Sequence, residues 1–176
     1  MEGTVKERLK YEIIGILLVA LGIFLFLSLI SYSPVDPSFF SYASSKGKGT
    51  HNWMGIVGAY LSGLLYQGFG FPSFLISFVS VVFAFSFIFR WEWKYLSLKL
   101  AGWAVILITI SSFFGLWLSP IRIYSQDLLM GGFIGEIFSR YLVRYFNRPG
   151  ATVLLSVILI LSFVLGTGIS FISVVK

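Results

Sequence analysis

Residues 53–89, WMGIVGAYLSGLLYQGFGFPSFLISFVSVVFAFSFIF, are apolar almost throughout. As one α-helix this stretch would be roughly 55 Å long, against ~30 Å for the hydrocarbon core of a bilayer. It therefore has to break or project. Gly68, Gly70 and Pro72 mark the break, because two residues without a side chain and one without an amide hydrogen interrupt a helix together. Residues 53–67 then form a shorter helix lying at the interface or dipping into the bilayer, and residues 72–89 form a full span. The alternative is two spans joined by a tight turn at 69–71.

The rest of the chain repeats the apolar pattern on both sides. Residues 13–31, 100–118 and 151–174 are further uncharged runs long enough to cross a membrane. Residues 1–12 read as a polar, helical cytoplasmic lead-in, and 13–176 as one membrane domain. The start reads as a retained first span rather than a cleaved signal, because no small-x-small site follows the apolar run. Mean hydropathy is +0.92 and only 11% of residues are charged, so lipid is the solvent for most of this chain. The expected fold is all-α and integral to the membrane. It has four transmembrane helices, about 13–31, 72–89, 100–118 and 151–174, plus two short interfacial helices, about 53–67 and 133–146.

Several function classes are excluded or weakened. There is no cysteine and a single histidine, His51, so thiolate chemistry is absent and no zinc site is expected. No catalytic, cofactor-binding or metal-binding residues are expected. His51 and Asp36 share one loop without an activated nucleophile. SSKGKGT (44–50) does not follow the Gly-x4-Gly-Lys-Ser/Thr order of a phosphate loop. The spans hold no ionisable residue, which removes the usual carriers of a proton or ion path. A small polytopic transporter or channel subunit is the competing function, and it would need such residues.

Three further features carry meaning. Pro34 and Pro37 stop the first helix, and Asp36 and the serines around it, Ser33 and Ser38, can satisfy turn amides. Small residues recur every fourth position in Gly55/Ala59/Gly63, in Ser111/Gly115/Ser119 and in Ser162/Gly166/Ser170, which lets helix backbones approach closely in lipid. Packing within one subunit is favoured over assembly between subunits, though the spacing fits both. Residues 133–146 are amphipathic, with Ile134, Ile137, Phe138, Tyr141, Leu142 and Tyr145 on one face and Glu136, Arg140 and Arg144 on the other. Asn147, Pro149 and Gly150 end that helix.

Charge bias does not choose between four and five spans. With four, Lys6, Arg8, Lys10, Arg90, Lys94, Lys99 and Lys176 lie inside, seven of the 13 basic residues. With five, the inside set is Lys6, Arg8, Lys10, Arg122, Arg140, Arg144 and Arg148, again seven.

An ordered set of motifs resolves this. SYSPVDPSF (31–39), HNWMGIVGAYLSGLLYQGFG (51–70) and GGFIGEIFSRYL (131–142) are followed by NRPGA (147–151) and a span ending GTG (166–168). In this order the set resembles the N-terminal four-span membrane domain of the FtsK/SpoIIIE DNA translocases, over nearly the whole chain. The resemblance implies a membrane anchor and oligomerisation domain of a septal DNA translocase, joined in the full-length protein to a cytosolic ATPase motor. It implies a multi-pass protein of the bacterial inner membrane at the division septum, contacts with other division proteins, and no direct nucleic-acid binding by this domain. A hexameric motor admits a hexamer. A cytosolic motor places both ends of the chain on one side, which requires four spans. The loop motif (Ser33, Pro34, Asp36, Pro37, Ser38) then falls on the outer side. So do helix 53–67 and the helix region with Gly131, Gly132, Gly135, Ile137, Phe138, Arg140, Tyr141 and Arg144.

Overall fold

The computed structural model describes residues 2–39, 49–89, 96–118, 120–123 and 126–168. The fold is all-α, with helices α1 (Glu2–Ile30), α2 (Gly55–Phe69), α3 (Phe74–Ile88), α4 (Leu96–Trp117) and α5 (Gly132–Thr167). Among the described residues, four segments are long and apolar enough to cross a membrane: Glu7–Ile30, Phe71–Ile88, Leu96–Trp117 and Gly132–Thr167. Strands β1 (Ile121–Ile123) and β2 (Gln126–Leu128) form a small antiparallel hairpin with Ile121 opposite Leu128. The sequence predicts no element at these residues, so the hairpin is an addition to the expected fold. The connector 90–95, Ser119, Ser170 and the final stretch 169–176 lie outside the described residues.

The break in 53–89 falls where the glycines stand. Gly70 has φ 68°, a left-handed conformation that costs glycine nothing. Its N–H still closes the last turn of α2 on the Tyr66 carbonyl at 2.8 Å. A single 3-10 turn, Phe71–Ser73, then leads into α3. The second break is at Asn147, whose φ of 56° and ψ of 172° divide α5 into two helices, 132–146 and 148–167. With ψ near 180° this is not the left-handed helical region but one that glycine alone adopts without strain, so the surrounding packing holds Asn147 there. Pro149 sits within the first turn of the second helix, where its missing N–H has no partner to lose. Gly168, with φ 72°, caps that helix by donating to the Val164 carbonyl at 2.9 Å. The helix as described ends at Thr167; the rest of the span expected to 174 falls largely outside the described residues.

The chain forms two compact units, Met1–Ser62 with Phe74–Lys94, and Gly63–Ser73 with Tyr95–Lys176. In the first, α1 and α3 run antiparallel with glycine and serine between them. A Cβ on Gly22 would lie 2.7 Å from Val81 Cγ2 and 3.1 Å from the Ser77 carbonyl, and one on Gly15 would lie 3.1 Å from the Ala84 carbonyl. Ser80 donates across the pair to the Leu18 carbonyl at 2.9 Å. Phe26 and Phe74 meet edge to face at one end, and Tyr11 and Phe87 stack at the other.

In the second unit, α4 packs along both halves of α5. Leu116, Ala151 and Leu155 form its apolar core, with Phe113, Leu142 and Val143 against them. Leu155 lies near the α4 end that carries Leu116, while Gly166 meets Gly102 near the other. The second half of α5 is therefore antiparallel to α4. Hydroxyls within the helices mostly bond to the carbonyl four residues back, as Ser28, Ser86, Thr109, Ser112, Ser156 and Thr167 do. That is how a polar side chain is accommodated where water is absent.

Candidate functional site

The first constellation is built around Asp36. Pro34 and Pro37 flank it and carry no amide hydrogen. Its own N–H closes a turn on the Ser33 carbonyl at 3.1 Å. Its carboxylate, whose side chain is 3% exposed, reaches fifteen residues along the chain. Oδ1 accepts the His51 N–H at 2.9 Å and meets His51 Nδ1 at 3.0 Å, and Oδ2 accepts the Asn52 N–H at 2.9 Å. Asn52, also buried, continues the network. Its side-chain nitrogen donates to the Ser28 carbonyl at 2.8 Å and to Ser62 Oγ at 3.2 Å, with a longer contact to the Ser31 carbonyl. Its Oδ1 accepts the Met54 N–H at 3.0 Å.

Trp53 N–H donates to Ser31 Oγ at 3.0 Å. The last carbonyls of α1, which no helical amide can reach, are thus served by the residues that lead into α2. This is a clasp: two loop ends are held to one helix terminus by a carboxylate and an amide. Ser31 Oγ, the nearest hydroxyl of interest, donates to the Leu27 carbonyl at 2.6 Å. The groups around Asp36 are therefore engaged in holding backbone, with His51 pointing outward at 64% exposure. Of the expected loop residues, Pro34 and Asp36 are buried, Ser33, Pro37 and Ser38 half-buried.

The second constellation is a glycine junction in the other unit. Phe71 N–H donates to the Met130 carbonyl at 2.9 Å, and Ser111 Oγ donates to the Phe69 carbonyl at 3.1 Å. Gly70 and Gly132, both at positive φ, lie so close that a Cβ on either would overlap the backbone of the other. A Cβ on Gly131 or Gly135 would run into the Ser111 carbonyl, and one on Gly115 would sit 2.8 Å from the Gly135 carbonyl. Ser111 and Gly115, expected as a packing stripe, thus face Gly131, Gly135 and Ser139 of the same chain. Gly166 faces Gly102 and Trp103 of the same chain, and Ser162 is buried on the same side of α5. Ala59 and Gly63 are buried, and Gly55 opens α2 at φ 67°.

The junction also shows how helix 132–146 is set. Gly131 and Gly135 meet Ser111, Ser139 meets Gly115, and Leu142 and Val143 meet the cluster around Leu116. The helix therefore ascends beside α4 in the same direction. It starts at the level of Ser111, about 9 Å before the Trp117 end. Leu142, assigned by spacing to the apolar face, belongs to this packing face. Hence the helix has three sides: Gly135, Ser139 and Leu142 toward α4, Glu136, Arg140 and Arg144 in a charged line, and Ile137, Phe138, Tyr141 and Tyr145 exposed.

Residues 7–176 match the family described as the 4TM region of DNA translocase FtsK/SpoIIIE. The chain belongs to this family. Among curated FtsK proteins, the DNA translocase FtsK of Rickettsia prowazekii (strain Madrid E) is 34% identical over 134 residues, 76% of this chain and 17% of that protein. Those of Shewanella oneidensis and Haemophilus ducreyi are 29% and 30% identical, covering 92% and 94% of this chain and 18% of each relative. The chain thus spans less than a fifth of the length of these FtsK proteins. No solved structure matches it. The FtsK/SpoIIIE match takes in both the clasp and the junction.

Several residues of these sites gave little sign of themselves in the sequence. Asn52 is the centre of the clasp, yet it reads as an ordinary loop residue beside His51. Gly15 and Gly22 stand seven apart, a spacing that the search for four-residue stripes passes over. Gly70 and Gly102 had no small partner at that spacing either.

Proposed function

We propose that this chain is the membrane anchor and assembly domain of a septal DNA translocase, holding a cytosolic ATPase motor at the division site during chromosome segregation and cell division. The observation that carries the reading is the conjunction of family membership with spans free of charge. Residues 13–30, 74–88, 100–117 and 151–167 hold no ionisable side chain, so the helices suit lipid and one another rather than a wet conduit. DNA then passes outside this domain. Both chain ends face the cytosol, and the clasp, α2 and helix 132–146 face outward, where they present a surface to other division proteins. The small-residue contacts described above act within one chain, so assembly of several copies uses other surfaces.

Fusion of residues 1–176 to a fluorescent protein in a dividing bacterium tests the anchor. A band at midcell is expected, and an even distribution around the membrane would sink the reading. Sidedness is tested with single cysteines at His51 and Tyr141, both exposed. Each is expected to react with an impermeant maleimide added to intact spheroplasts. Reaction only after lysis would reverse the topology.

A further inference from the structure

The exposed sides of helix 132–146 hold chemistry that packing does not use. Arg140 and Arg144 lie four residues apart on this helix, and Arg148 opens the next helix just past the Asn147 break; all three are exposed. Glu136 Oε1 accepts from Arg140 Nε at 2.7 Å. Arg144 and Arg148 have no ion-pair partner among the described residues. Arg144 also stands one helical turn from the like charge of Arg140, and the two unpaired guanidinium groups on either side of the break call for an anion. About a quarter turn round the same helix, Tyr141 and Tyr145 stand 63% exposed, with ring centroids 5.0 Å apart.

Trp117 marks the same level on α4. Its Nε1 donates to Thr152 Oγ1 at 3.3 Å, and that hydroxyl donates to the Arg148 carbonyl at 2.8 Å. Arginine, tyrosine and tryptophan therefore gather where helix 132–146 gives way to the second half of α5.

We propose that this cluster binds the headgroup of an anionic phospholipid, with Arg144 and Arg148 on the phosphate and the tyrosine rings among the upper acyl carbons. Guanidinium groups pair with phosphate through a planar fork. Tyrosine and tryptophan bodies sit at the boundary between acyl chain and headgroup, with their polar tips outward. An acidic protein surface would satisfy the arginines but would have to strip lipid from the adjoining ring face. Lipid satisfies both at once. The proposal rests on the membrane fold and is independent of the anchoring reading.

The test uses the whole chain of 176 residues, reconstituted in phosphatidylcholine vesicles containing about one-tenth phosphatidylglycerol. The protein is then cut out with its lipid ring by an amphipathic polymer, and the ring is analysed by mass spectrometry. The expected result is enrichment of phosphatidylglycerol over the bulk ratio. The Arg144→Gln/Arg148→Gln variant, checked for native helicity by circular dichroism, is expected to bind about tenfold more weakly. The Arg144→Lys/Arg148→Lys variant should keep part of the enrichment, because charge remains without the fork. Excess inorganic phosphate should leave the ring unchanged. A wild-type ring at bulk composition overturns the proposal by itself, whether or not the glutamine variant folds. Equal enrichment in a folded glutamine variant, or loss of enrichment on adding phosphate, also overturns it.

Discussion

Single residues set the conformations that the rest of the membrane domain depends on. Asp36 is the clearest case, since one carboxylate holds two backbone amides, of which the Asn52 amide would otherwise be buried without a partner. Asp36→Ala should lower stability by about 1–3 kcal/mol, read as a fall in the unfolding midpoint in detergent. Asp36→Asn should fall between, because it keeps an oxygen for one amide but not for both. An unchanged midpoint for the alanine variant would show that the clasp contributes nothing.

Asn147 makes the opposite kind of demand, on backbone rather than on side chain. Asn147→Gly should raise stability by up to about 1 kcal/mol by relieving the strain, whereas Asn147→Val should cost about 1–2 kcal/mol at a positive φ. Equal stability of the two variants would contradict the observed kink. Ser77 differs from both. Its hydroxyl is buried and makes no hydrogen bond among the described residues. Ser77→Ala should therefore leave stability unchanged or raise it by up to about 1 kcal/mol.

At the scale of elements, close approach of backbones replaces the hydrophobic effect as the organising force, because lipid is as apolar as leucine. Ser111 and Gly115 admit Gly131 and Gly135 to van der Waals contact, and serine and glycine do the same between α1 and α3. Gly135→Val should separate helix 132–146 from α4 and cost about 1–3 kcal/mol by overpacking. The change can be followed by the rate of disulfide formation between cysteines placed at Phe113 and Val143. An unaltered rate in the valine variant would mean that the two helices do not meet there.

Much of this level was legible from composition alone. Helix-breaking residues at Gly70 and Asn147 announced both breaks, and the uncharged runs announced the spans. The approach of Gly70 to Gly132 was not legible, because it joins residues about sixty apart whose only shared property is the lack of a side chain. Nor was the third side of helix 132–146: an amphipathic pattern separates polar from apolar, but not apolar toward protein from apolar toward lipid. The β1–β2 hairpin is too short to produce any alternation.

For the whole molecule, family membership supplies what hydropathy could not. Four and five spans distributed the basic residues equally, so charge did not distinguish the two arrangements. The match over residues 7–176 to a four-span region, and four helices of sufficient length and apolarity, agree on four. The relatives extend far beyond the part matched here. The uncharged spans suit the proposed anchoring role, since nothing in them needs to titrate or move an ion. The single cysteines proposed for sidedness apply at this scale, and their outcome decides on which side the clasp and helix 132–146 lie.

The clasp has a consequence for what lies between its two halves. Because Asp36 grips His51 and Asn52, the intervening chain begins and ends at nearly the same point. Its length is then uncoupled from the helices on either side. Doubling such a loop costs only about 0.6 kcal/mol of closure entropy. A peptide tag or a small folded domain inserted between Phe39 and Gly49 should therefore leave the spans undisturbed, whereas the same insertion between Asp36 and Pro37 should not. The clasp thus makes this stretch an insertion point, where an engineered cargo can be exchanged without rebuilding the membrane part.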